Sequence, residues 1–220
     1  MKSPKYQFIL FLLISIYITP ISAANLIPNS SFETNTLMAT AFNMNNADLT
    51  AAVDSVTGFG LSNEIDLVMG LGIDGISAQD GDWRLRLHTK DDDDADMDAF
   101  SIALSSNLVI GQMYELSFYA AGSSAPKDVA IGLSNDANSF GTNIFASSEY
   151  VQGRWTQLTT MFTATDAWSF LTVKSGSTKD AIANVDNFVL EEAVVPIPAA
   201  ALLFISGIVG LAWRGCQVQS

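Results

Sequence analysis

Four stretches of this chain have residue types and spacings that could do chemistry. The first is Asp91-Asp92-Asp93-Asp94-Ala95-Asp96-Met97-Asp98, where carboxylates at alternating positions could surround a divalent cation. Counted from Asp92, however, Met97 and Ala103 stand where a calcium loop needs its turn glycine and its closing glutamate. Without that frame the run reads as a solvated acidic loop with only delocalised cation binding. The second stretch, Gly70-Leu71-Gly72-Ile73-Asp74-Gly75, fits the phosphate-cradling pattern G-x-G-x-x-G and follows a strand-like run. Ser77-Ala78-Gln79-Asp80-Gly81-Asp82 then stands where a helix N-terminus is required, which argues against a dinucleotide site.

The third stretch is Trp83–His88, in which Trp83, Leu85 and Leu87 alternate with Arg84, Arg86 and His88. This is the period of a half-buried strand, and its outward polar row either lines a ligand cleft or is a solvated face. The fourth is aromatic. Sugar-binding surfaces set exposed rings against the C–H patches of a pyranose, and the candidates are Trp83, Trp155, Trp168, Phe140, Tyr150 and Phe170. Trp83 and Trp155 are in phase with core positions. Trp168 and Phe170 share one face, opposite Leu171 and Val173, and are the expected platform. Nucleophilic hydrolysis finds no support: there is one histidine, no G-x-S-x-G, and the single cysteine, Cys216, lies near the C-terminus. A carboxylate pair could cleave a glycoside, but no pair stands out among 23 acidic residues.

The elements that position these residues are short strands. Glu64–Met69, Trp83–His88, Phe100–Leu104, Met113–Ala121, Asp128–Leu133, Arg154–Thr163, Ser169–Lys174 and Ala183–Leu190 are β-type runs separated by Gly, Asn, Asp and Ser clusters. No window of helical length is amphipathic, so the spacing predicts an all-β antiparallel sandwich or barrel.

Both ends are apolar. Lys2 and Lys5 precede the run Phe8–Ile18, Pro20 breaks it, and Ser22-Ala23-Ala24 supplies small residues for cleavage. Residues 1–24 are therefore expected to be a signal peptide, removed by signal peptidase. At the other end no charge lies between Glu192 and Arg214. A helix from about Pro198 through Trp213 rises about 1.5 Å per residue and crosses most of a ~30 Å hydrocarbon core. Residues 193–220 are expected to hold this C-terminal transmembrane helix in the inner membrane, with Arg214 at its cytoplasmic end. Residues 25–192 form the domain between. All 23 acidic residues fall between Asn25 and Val194, against seven basic ones, a net charge near −16. Such a field excludes nucleic acid and anionic surfaces as partners.

Two family resemblances follow. Val195-Pro196-Ile197-Pro198-Ala199, an apolar helix and then Arg214 resemble the C-terminal sorting signal of PEP-CTERM proteins, in the variant reading Val-Pro-Leu-Pro-Ala. The resemblance implies an exosortase as processing partner and a bacterium that makes extracellular polysaccharide. Asn25-Leu26-Ile27-Pro28-Asn29-Ser30-Ser31-Phe32-Glu33 is similar to the opening of jelly-roll carbohydrate-binding modules of galactose-binding-like fold. Gly111–Ala120, Gly153-Arg154-Trp155 with Phe162-Thr163-Ala164, and Val185–Leu190 resemble their later strands in order. In such modules a structural Ca²⁺ ties the first strand to the last, and the matching carboxylates here are Glu33 and Asp186. The resemblances imply an exported, non-catalytic protein displayed at the cell surface or released, binding extracellular polysaccharide through Trp168, Phe170, Arg84, Arg86 and His88. A purely structural matrix protein, or a glycan-active enzyme, are the other readings.

Overall fold

The computed structural model describes residues 24–62, 64–89, 97–122, 129–147, 153–176 and 181–193. The signal peptide, the sorting motif Val195–Ala199, the expected transmembrane helix and Asp91–Asp96 lie outside the described residues. Among the described residues no helix is long and apolar enough to cross a membrane.

The domain is a β-sandwich. Its strands are β1 (Ala41–Met44), β2 (Val56–Gly58), β3 (Ile65–Met69), β4 (Trp83–Thr89), β5 (Ala99–Ala103), β6 (Met113–Gly122), β7 (Val129–Ser134), β8 (Thr142–Ser147), β9 (Thr156–Thr163), β10 (Phe170–Ser175) and β11 (Ala181–Glu192). One sheet has six strands in the order β1-β3-β4-β11-β6-β9, and the other has five in the order β2-β5-β10-β7-β8. Every ladder is antiparallel. The last strand, β11, thus lies inside its sheet, between β4 and β6.

Alternation builds the core. Leu85 and Leu87 of β4, Leu116 and Phe118 of β6 and Leu190 of β11 meet Phe100 and Ile102 of β5, Ile131 and Leu133 of β7, and Leu171 and Val173 of β10. Aromatic rings bridge the sheets. Phe118 stacks on Phe188 at 5.2 Å between centroids, and Phe32 meets Phe188 and Phe100 edge-on at 6.0 and 5.9 Å. Such pairs add about 0.5–1.5 kcal/mol each beyond burial. A bulge in β11 between Asp186 and Val189, with Asn187 at φ 49°, resets the alternation so that Phe188 enters the core.

The eight expected strands are present, with ends shifted by a few residues. Three more strands (β1, β2 and β8) and one helix, α1 (Asn46–Ala52), complete the fold. The helix has seven residues, too few to show an amphipathic period, and is started by the Asn45 side chain accepting from Asp48 N at 2.9 Å. β2 and β1 are too short to alternate legibly.

Candidate functional site

The G-x-G-x-x-G stretch encloses an arginine. On β4 the core residues Leu85 and Leu87 turn Arg84, Arg86 and His88 to the outer face of the six-stranded sheet. Arg84 is nevertheless fully buried, because the β3–β4 loop folds back over it. Its Nη2 meets Asp74 Oδ1 at 2.7 Å, Nη1 donates to the Gly70 carbonyl at 3.1 Å, and Nε donates to Asn184 Oδ1 at 2.9 Å. A Cβ at Gly72 would lie 2.4 Å from Arg84 Nη2 and 2.7 Å from Asp74 Oδ1, so any other residue there would displace the ion pair. Burial lowers the Arg84 pKa, and the Asp74 carboxylate opposes that shift. The second oxygen of Asp74 is buried without a hydrogen-bond partner.

The expected outward row is therefore not a cleft wall. Arg84 is caged, and Arg86 is spent on Asp66, with Nε and Oδ2 2.6 Å apart, and on the Phe42 ring, 5.6 Å from its centroid. Burial raises the Asp66 pKa, and the Asn43 amide and Arg86 pull it back. His88 is half-buried and its backbone N–H donates to Asp98 Oδ2 at 2.7 Å. Asp98, last of the acidic run, is not a solvated residue. It is fully buried, accepts from Ser62 Oγ and Glu64 N, and burial raises its pKa.

Glu33 and Asp186 do grip the same segment, but through amides. Glu33 Oε1 accepts from the backbone N–H groups of Asp82 and Trp83 at 2.9 and 2.7 Å. Asp186 Oδ2 accepts from Gln79 N and Asp80 N at 2.7 and 3.1 Å, and Oδ1 from Asn187 N at 2.7 Å. Ser31 Oγ donates to Asp80 Oδ2 at 2.7 Å, and Asn187 Nδ2 to Gln79 Oε1 at 2.8 Å. Burial pushes the Asp186 pKa up to about 7, against the pull of its amide donors. A calcium ion needs oxygens converging on it, and here N–H groups face the two carboxylates. Among the described residues no three metal-binding side chains gather. Both carboxylates thereby hold the same stretch, Glu33 at Asp82 and Trp83 and Asp186 at Gln79 and Asp80, through amide donors.

The aromatic platform also divides. Trp168 is 7% exposed and belongs to the core. Phe170 is half-buried on the outer face of the five-stranded sheet, whereas the arginine row lies on the outer face of the other sheet. Trp155 is half-buried and reaches over the β3–β4 loop, its indole N–H donating to the Ser77 carbonyl at 2.9 Å.

On this second outer face the residues form a groove of about 310 Å³, lined by Phe59, Leu61, Met97, Asn138, Phe140 and Lys174 above Ala99. Its wall is the β7–β8 loop, which lies directly on the sheet. Thr172 Oγ1 donates to the Phe140 carbonyl at 2.7 Å and Ser101 Oγ to the Ala137 carbonyl at 2.8 Å. Gly132 makes room, since a Cβ there would lie 2.4 Å from the Phe140 oxygen. Lys174 Nζ sits 4.8 Å from the Phe140 ring centroid. Opposite, Phe59 N and Gly60 N both donate to the Ala99 carbonyl, at 2.9 and 3.0 Å. The groove thus offers two aromatic rings, an amide and an ammonium, and no carboxylate among its described lining residues. Phe59 and Asn138 carry no signal that sequence reasoning used. The available hint for Phe140 is its isolation among the turn residues Asp136-Ala137-Asn138-Ser139 and Gly141.

The sequence matches no protein-family profile, and no curated protein matches it. Solved structures do match in shape. The arabinose-bound MgGH51 α-L-arabinofuranosidase aligns with 79% of this chain at 15% identity and a TM-score of 0.51, the match spanning 27% of the enzyme. A cyclase from Fischerella sp. TAU, in complex with 4-(1H-indol-3-yl)butan-2-one, aligns over 79% of this chain and all of its own at 12% identity and a TM-score of 0.50. The module TmCBM61, in complex with β-1,4-galactotriose, covers 78% of this chain and all of its own at 13% identity and a TM-score of 0.48. The domain shares an all-β sandwich fold with proteins of this kind.

Proposed function

We propose that the domain is a non-catalytic carbohydrate-binding module that holds a glycan chain in the Phe59–Phe140 groove. The observation that carries this reading is the groove's lining: two aromatic rings for sugar C–H faces, with Asn138 and Lys174 beside them as hydrogen-bond donors. The β-1,4-galactotriose bound by TmCBM61 makes neutral β-linked oligosaccharides the first ligands to try. The test is a glycan-array screen of the full chain beside Phe140→Ala. The proposal expects retained neutral glycans on the wild type and at least about fivefold weaker binding by the variant, taking the lost ring contact as on the order of 1 kcal/mol. Undiminished binding by Phe140→Ala would place the site elsewhere.

The same reading puts the protein outside the cell. Residues 1–24 act as signal peptide, the segment 193–220 anchors the chain in the inner membrane, and an exosortase reads Val195–Ala199 before release to the surface or the extracellular polysaccharide. This rests on sequence features alone. In a host with an exosortase, Pro196→Ala with Pro198→Ala should accumulate uncut while the wild type loses its tail. Equal cleavage of both would reduce the segment to an ordinary anchor.

A further inference from the structure

At one end of the sandwich the loop between β5 and β6 closes in a turn that displays aliphatic side chains. The Gln112 N–H donates to the Val109 carbonyl at 3.0 Å, and Gly111 takes φ 84°, which glycine adopts without strain. The turn is pinned to the body. Val109 N donates to the hydroxyl of the buried Tyr114 at 2.9 Å, Gly111 N to the Ala164 carbonyl at 2.8 Å, and Ala164 N to the Gln112 carbonyl at 2.9 Å. Val109 and Ile110 are nonetheless 59% and 64% exposed, and Met113 beside them 38%. Burying such side chains against an apolar partner is favourable, and on a turn already fixed it costs little ordering.

The chain leaves the domain at this same end, where Ala193 N donates to the Met113 carbonyl at 2.9 Å. Pro198, just before the apolar run of residues 199–213, is five residues on and stays within about 18 Å of Ala193 even along a fully extended chain. Charge agrees with this placement. No charged residue lies between Asp98 and Glu115 or between Arg154 and Asp166, the two segments that meet here, although the chain holds 23 acidic residues.

We propose that residues 109–113 seat the domain on the bilayer that the C-terminal segment enters, with Val109 and Ile110 dipping among the lipid headgroups. The inference rests on the anchoring reading of residues 193–220 given above. The occupant is a lipid surface because the short tether keeps this end beside the bilayer, at high effective concentration, whenever the anchor is in place. A tether alone leaves the domain free to tumble, whereas a seat fixes which end faces the lipid. The exposed carboxylates of Glu115, Glu192 and Asp166 stand within a few residues of these contacts, so the surface accepted is zwitterionic and anionic headgroups are repelled.

The test is quenching by nitroxide lipids of the full chain in phosphatidylcholine vesicles, with Cys216→Ser and a fluorophore on Ile110→Cys. Nitroxides about 5–10 Å below the headgroups should quench this probe, and its emission should shift to the blue. A probe on Ile73→Cys, at a residue 80% exposed between β3 and β4, should stay in water and unquenched. Val109→Asp should keep the wild-type melting temperature and release the Ile110 probe from quenching. Adding phosphatidylglycerol should weaken the quenching. Insertion of the tail is read separately, as resistance to alkaline extraction. A chain that is extracted overturns the anchoring and the seat together. A chain that resists extraction while its Ile110 probe is quenched no more than the Ile73 probe overturns the seat alone. So does quenching that anionic lipid strengthens.

Discussion

Among the described residues a loop lies on each outer face of the sandwich, and the two loops are held by opposite chemistry. Across the six-stranded sheet, residues 70–82 are fastened by charge: Arg84 to Asp74, and the Glu33 and Asp186 carboxylates to backbone amides. Across the five-stranded sheet, residues 135–141 are fastened by two hydroxyls, Ser101 and Thr172, donating to carbonyls above a bare glycine. A buried charge that loses its partner is costly, whereas a neutral hydrogen bond contributes only about 1 kcal/mol net. The first loop is therefore bound up with folding itself. The second is a wall that can be altered while the fold survives, which suits a surface that meets ligands.

The charged loop is most vulnerable at Arg84. Arg84→Met should cost about 3–5 kcal/mol in denaturant unfolding, because Asp74 is left buried and uncompensated. Adding Asp74→Leu should recover most of that loss. If the double variant is no better than the single one, charge is not what holds this loop.

A smaller effect is expected on the other face. Gly132→Ala places a methyl against the Phe140 carbonyl and should cost about 1–3 kcal/mol as the loop lifts. Glycan affinity should fall with it, since the Phe140 ring moves too. Unchanged affinity in isothermal titration would detach the loop from the groove.

The pH profile sharpens the contrast further. Asp186 has its pKa raised to about 7 in the folded state, against an ordinary value of 3.8. The folded protein then holds this proton more tightly than the unfolded chain, so the group's stabilising contribution is complete below about pH 4 and lost as pH rises through about 7. Asp186→Asn should flatten the stability profile across that window, measured by urea midpoints at stepped pH. An equally steep profile in the variant would assign the slope to Asp66 and Asp98, which shift in the same direction.

The smallest expected effect is that of chelation. With Glu33 and Asp186 already occupied by N–H donors, a chelator should leave the melting temperature unchanged. A drop of several degrees would mean that a cation displaces those amides in solution.

Much of the fold was legible because alternation is a local property. Trp83, Leu85 and Leu87 announce their face of β4 without knowledge of any partner strand. The site was less legible because exposure is decided by what folds back from elsewhere. Arg84 alternates correctly and points away from the core, yet a loop ten residues upstream buries it completely. Trp168 sits in phase with Phe170 but precedes the strand, so the period that linked them does not apply. The groove joins Phe59, Phe140 and Lys174 across more than a hundred positions of chain, a proximity that only the strand order β2-β5-β10-β7 creates.

The central place of β11 has a mechanical consequence. The chain leaves the domain from this strand, which is bonded to β4 along one side and to β6 along the other. Under the proposed glycan binding and tail anchoring, a tug on the bound glycan resisted at Ala193 would pull β11 along its own length. Antiparallel hydrogen bonds stand perpendicular to that direction, so they are loaded together in shear and do not open one at a time. The strand nearest the tail is thus the one best placed to carry tension, whereas an edge strand in the same position would peel away.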